Sequence, residues 1–157
     1  MRSVSYEETV PAGKVVVGGI LAGIILCLGL AITFVVQGLP APMLILLALV
    51  VFLSLLLWNF RAIHLTVDGE AFAADFGVFN RTHIPLGEIT SCRPTRATFG
   101  RYMGIGVRAG TDGTWAYTTW FGPAVEVRAA GRRPFVVSTK NPAAVCDAIE
   151  QARSGRG

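Results

Sequence analysis

The residues best suited to chemistry in this chain are few: two histidines and three cysteines among 157 residues. His64 and His83 stand nineteen positions apart, and neither has a second ligand type at the short spacing that metal sites use. Cys27, Cys92 and Cys146 form no C-x-x-C pair, and their odd number in a chain expected to face the cytoplasm predicts free, reduced thiols. Gly104, Gly106 and Gly110 miss the G-x-G-x-x-G spacing and open no expected helix, so no dinucleotide site and no cofactor is expected. No catalytic or metal-binding constellation is assigned.

The strongest local signal is electrostatic. From Ser91 to Thr111 the chain carries Arg93, Arg96, Arg101 and Arg108 and no acidic residue, and Arg132 and Arg133 follow. Phe99, Tyr102, Trp115, Tyr117, Trp120 and Phe121 crowd the same region. Rings and guanidinium groups together suit a lipid headgroup layer. The competing reading has the rings in a core and the arginines on a solvated face. Such a mixture also binds single-stranded nucleic acid, but a domain tethered closely to a membrane is a poor candidate, and no nucleic-acid partner is expected.

That tether is read from the distribution of charge. No Lys, Arg, Asp or Glu occurs from Val15 to Phe60, while the whole chain carries 14 basic and 10 acidic residues. A tract of this length holds two spans, because one membrane-crossing helix needs about 20 apolar residues. Gln37-Gly38-Leu39-Pro40-Ala41-Pro42 breaks it, placing helices over about 15–36 and 40–60. Gly19, Gly23, Cys27 and Ala31 recur every fourth residue and mark the packing face of the first helix, toward the second helix or toward another copy of the chain. Arg2 and Lys14 precede the pair and Arg61 follows it, whereas the connecting turn has no basic residue. Both termini are therefore expected in the cytoplasm, with the protein multi-pass in the inner membrane.

The organisation follows: a cytoplasmic segment over 1–14, a helical hairpin over 15–60 and a cytoplasmic domain over 61–157. In that domain alternating polarity punctuated by Gly, Asp, Asn and Pro predicts a compact antiparallel β fold. Asp68-Gly69 marks the first hairpin turn, with Phe72, Ala74 and Phe76 on one face of the next strand. Further strands are expected at 80–84, 88–93, 104–108, 114–119, 124–128 and 133–138. Val125 and Val127 are expected inward, Glu126 and Arg128 outward. Asn141 and Pro142 then open a terminal helix, with Asn141 as its cap and Val145 and Ile149 in its buried stripe.

Val67-Asp68-Gly69-Glu70, Ile84-Pro85-Leu86-Gly87-Glu88-Ile89, Gly104-Ile105-Gly106-Val107-Arg108, Ala124-Val125-Glu126-Val127-Arg128 and Val137-Ser138-Thr139-Lys140-Asn141-Pro142 follow in order. In this the chain resembles small bacterial membrane proteins that join two helices to a pleckstrin-homology-like domain. The resemblance implies a bent antiparallel sheet forming a partial barrel capped by the C-terminal helix, and it implies no reaction. It departs at the first strand-to-strand loop, where Asp68-Gly69-Glu70 replaces the basic residues of phosphoinositide-binding members. The leading expectation is a non-enzymatic scaffold that binds a membrane protein or peptide at the membrane face. The alternatives are an anionic headgroup module using Arg93, Arg96, Arg101, Arg108, Arg132 and Arg133, and, third, a membrane-lipid enzyme.

Overall fold

The structure, a computed structural model, describes residues 4–155; Arg2, one of the basic residues of the topology argument, lies outside them. Two compact units emerge, one from residues 12–61 and one that combines the preceding N-terminal residues with everything from Ala62 onward.

The first unit is a pair of helices, α1 (Lys14–Val36) and α2 (Pro40–Asn59), each long and apolar enough to cross a membrane. Gly38, at φ +69°, makes the turn between them, a left-handed conformation that glycine adopts without a Cβ penalty. Pro40 stands at the start of α2, where its missing N–H has no helical partner to lose. At the open end of the pair the Ala12 amide donates to the Arg61 carbonyl at 2.7 Å.

The second unit holds two sheets and a terminal helix. The four-stranded sheet runs β1 (Val4–Pro11), β2 (Ala62–Asp68), β3 (Ala71–Phe76) and β4 (Asn80–Pro85), with every neighbouring pair antiparallel. Asp68 shapes the first hairpin, its Oδ1 accepting the amides of Glu70 at 2.8 Å and Ala71 at 2.7 Å. The remaining strands are β5 (Ile89–Ala97), β6 (Gly106–Ala109), β7 (Trp115–Thr118), β8 (Gly122–Ala129) and β9 (Phe135–Ser138), in the spatial order β5-β8-β9-β7-β6. The short helix α3 (Phe99–Tyr102) follows β5, and α4 (Pro142–Ser154) ends the fold. Val10, Ile63, Leu65, Val67, Phe72, Phe76, Val125, Val127, Phe135, Val145 and Ile149 are all buried.

The N-terminal residues are where the sequence reading falls short. Within the segment 1–14, to which the sequence assigns no element, residues 4–11 form an edge strand in register with β2, from Tyr6 opposite Val67 to Pro11 opposite Ala62. The helical pair is therefore inserted between two hydrogen-bonded strands.

Four other expectations are corrected. The β7–β9 pair is parallel, β9 lying between β7 and its antiparallel neighbour β8, so the sheet is mixed. Glu126, expected in water, is 1% exposed, because the outer face of its sheet is covered: Tyr102 from α3 seals a second apolar cluster with Ala97, Ala116, Ala124 and Val136. Asn141 makes no side-chain cap; Glu8 instead accepts from the Thr139 hydroxyl at 2.5 Å and the Lys140 amide at 2.8 Å, and the Asn141 amide donates to Thr139 Oγ1 at 3.1 Å. Cys92 and Cys146, expected as free thiols, form a disulfide with Cα atoms 5.4 Å apart. They are 54 residues apart in sequence, so only the packing of α4 against β5 reveals them as partners.

Candidate functional site

The arginine-rich stretch does assemble, but around a carboxylate. β8 carries Glu126 on its α3-facing side, where Oε1 receives Arg93 at 2.8 Å and Arg128 at 2.9 Å, and Oε2 receives Arg101 at 3.0 Å. Register explains two of these contacts, because Arg93 of β5 lies directly opposite Glu126 and Arg128 is two residues along the same strand. Arg101 arrives from α3 and also pairs with Asp112 at 2.6 Å, its guanidinium carbon Cζ lying 5.3 Å from the Tyr102 ring centroid.

Burial alone would push the Glu126 carboxyl up, but hydrogen bonds from Arg101, Arg128 and Arg93 more than offset it and hold the group below its ordinary value. Asp112 behaves alike: burial raises it, and hydrogen bonds from Thr114 and Arg101 win, bringing it down to about 2. Elsewhere, burial and then the adjacent Glu8 carboxylate push the Tyr6 phenol up to about 12, consistent with its hydroxyl donating to Glu8 at 3.0 Å.

The loop 110–114 is built for this arrangement. Asp112 Oδ1 accepts from the Thr114 hydroxyl at 2.6 Å, the Tyr102 hydroxyl meets Thr114 Oγ1 at 3.3 Å, and the Thr111 amide donates to the Arg101 carbonyl at 3.0 Å. Gly110 has no room for a side chain: a Cβ there would lie 2.6 Å from Asp112 Oδ1, 2.9 Å from Tyr102 and closer still to Thr114 Oγ1. Gly110→Ala should therefore cost the β domain about 2 kcal/mol through overpacking, read as a lower chemical-denaturation midpoint. Gly87→Ala, at a position with open space, is the matched control.

The six arginines of the sequence reading thus divide into two groups. Arg93 and Arg101 are bound to Glu126, and Arg132 is bound to Glu88 at 2.9 Å while also donating to the His83 carbonyl at 3.2 Å. Arg96 and Arg133 are exposed and make no ion pair among the described residues, and Arg108 donates only to the Ile105 carbonyl at 3.3 Å. The aromatics divide too. Tyr102 and Tyr117 are core, whereas Phe99 and Phe121 remain exposed as an edge-to-face pair with centroids 5.8 Å apart. Charge spacing exposed the arginines; Glu126 was hidden because alternation says nothing about a short helix folding over the outer face.

In the helical unit, Cys27 and Ala31 are buried, Gly23 faces Leu53 with space for a Cβ at 3.7 Å, and Gly19 faces open space. A recess of about 310 Å³ at the helix turn is lined by Phe34, Val35, Gly38, Leu39, Pro40 and Met43 and contains none of the arginines. Among the described residues, no group of three His, Cys, Asp or Glu side chains comes together to hold a metal ion.

Compared with protein-family models, with curated proteins and with solved structures, the chain has no match in any of the three. Its architecture is two helices of membrane-crossing length and composition, joined to an α+β unit of two sheets and a C-terminal helix.

Proposed function

We propose that the chain is a membrane-tethered, non-catalytic interaction module whose β domain, pleckstrin-homology-like in its bent sheets and terminal helix, binds a protein or peptide partner at the cytoplasmic membrane face. The observation that carries this reading is the position of β1. It is an edge strand of eight residues whose one neighbouring strand is β2, with the Glu8 side chain reaching Thr139 and Lys140, and it leads within three residues into α1. A strand edge held at a bilayer can accept a peptide as an added strand. The other edges suit that role less: β4 has its His83 carbonyl occupied by Arg132, β5 is interrupted by Pro94, and β6 has four residues.

The anionic-headgroup alternative loses Arg93, Arg101 and Arg132 to carboxylates and keeps Arg96, Arg108 and Arg133. Placement on the cytoplasmic side rests on Lys14 and Arg61 flanking a turn that lacks basic residues. The Cys92–Cys146 disulfide favours an oxidising compartment and opposes it. A photo-crosslinking residue at exposed Glu7, in the full chain in native membranes, should give a discrete protein adduct that the same probe at exposed Glu150 of α4 does not. Lipid adducts alone, or the same products from both sites, would contradict the peptide-edge reading.

A further inference from the structure

The register of the four-stranded sheet fixes which of its loops share an end. Pro11 lies opposite Ala62, Ile63 opposite Phe76, and Phe76 opposite Asn80. The β3–β4 turn, residues 77–79, is therefore at the same end of the sheet from which the chain departs at Pro11 and to which it returns at Ala62. The opposite end is formed by the Asp68 turn, Pro85 and Val4.

At this end the turn carries apolar side chains where water-facing hairpins ordinarily carry polar ones. Phe79 is 85% exposed and Val78 is 52% exposed. Gly77, at φ +72°, supplies the left-handed residue that lets the tip project as a tight turn. Exposed Arg81 stands two residues beyond Phe79, and exposed Arg61 directly precedes β2. A single exposed apolar residue needs no explanation. An exposed aromatic at a loop tip, flanked by arginine and on the end of the sheet continuous with two helices of bilayer length, has one.

We propose that the Val78–Phe79 tip is a membrane-inserting wedge: Phe79 buries its ring at the boundary between headgroups and acyl chains, and Arg81 pairs with anionic headgroups beside it. The occupant is the lipid bilayer. Aromatic rings favour that layer, and a guanidinium beside an anionic leaflet is attracted to it. The β domain is then held at three points of one end, through Pro11, Ala62 and the tip, and loses rotational freedom about its tether. That restriction would fix the direction in which the β1 edge faces. The inference rests on the bilayer-anchor part of the proposed function.

The test uses the full chain in vesicles of phosphatidylcholine and phosphatidylglycerol. Phe79→Trp adds a fluorophore at an exposed position, and the difference between its emission and that of the parent isolates the added indole. Trp58, at the end of α2, reports helix insertion through the difference between the parent and Trp58→Phe. The expected result is a blue-shifted signal from position 79 that is lost, like that of Trp58, when the acyl chains carry bromine. Quenching of Trp58 with an unquenched, water-like signal from position 79 would overturn the wedge and leave the anchor intact. Absence of quenching at both positions would overturn the wedge together with the anchor on which it rests.

Discussion

Val10→Asp should cost the β domain about 4 kcal/mol or more, a large share of the roughly 5–15 kcal/mol by which an ordinary domain is stable. Val10 is fully buried and pairs with Ile63, itself fully buried. An aspartate there loses its water shell without an opposing charge, and a carboxylate stripped of hydration costs several kcal/mol unless it is paired. The same substitution at Thr9, one residue away and exposed, gives up an exposed hydrogen bond to His64 and should cost no more than about 1 kcal/mol. Denaturation of the detergent-solubilised chain, followed by tryptophan fluorescence, separates the two. Equal, small effects at both positions would show that residues 4–11 are not a strand of the domain.

Glu126→Gln is the second large effect, at about 2–3 kcal/mol. The figure stays below the full cost of breaking a buried pair, because Arg93 and Arg128 are about half exposed and recover water when released. Arg101, 21% exposed, keeps Asp112. The pH dependence has a definite sign. Glu126 and Asp112 both titrate below their unfolded values, so their contributions are complete above the ordinary carboxylate range of about 4 and are lost on acidification as the unfolded chain takes up more protons. For Asp112 the loss extends down to about pH 2. The gap between parent and Glu126→Gln should therefore be full at neutral pH and shrink below about pH 4. A constant gap across that range would mean that the Glu126 charge contributes nothing.

Much of this architecture was legible in the residues. Apolar helices broken at Gly38 and Pro40, the Asp68-Gly69 hairpin, and strands from Ile63 to Ser138 all follow from local patterns whose period is set by the backbone. The failures share one physical origin, which is contact between distant parts of the chain. The segment 1–14 carries no assigned strand in sequence, and only the pairing of Tyr6-Glu7-Glu8-Thr9 with β2, across a 50-residue insertion, makes one there. Glu126 reads as a solvated position until α3 folds over it. Cys92 and Cys146 have no local signature at all. In the candidate site, the arginines were visible as a charge run, but their division between Glu126, Asp112, Glu88 and open solvent depended on tertiary packing.

That insertion also constrains topology. Strands β1 and β2 are hydrogen-bonded neighbours, so whatever the intervening residues do, they must bring the chain back to where it left. A pair of helices that crosses a bilayer and returns satisfies this; a single crossing does not. The measurement that bears most directly on the account places compartment-specific reporters at Gly38 and at the C-terminus of the full chain. The account predicts opposite compartments, with the C-terminal reporter active in the cytoplasm, and the same compartment at both positions would contradict it.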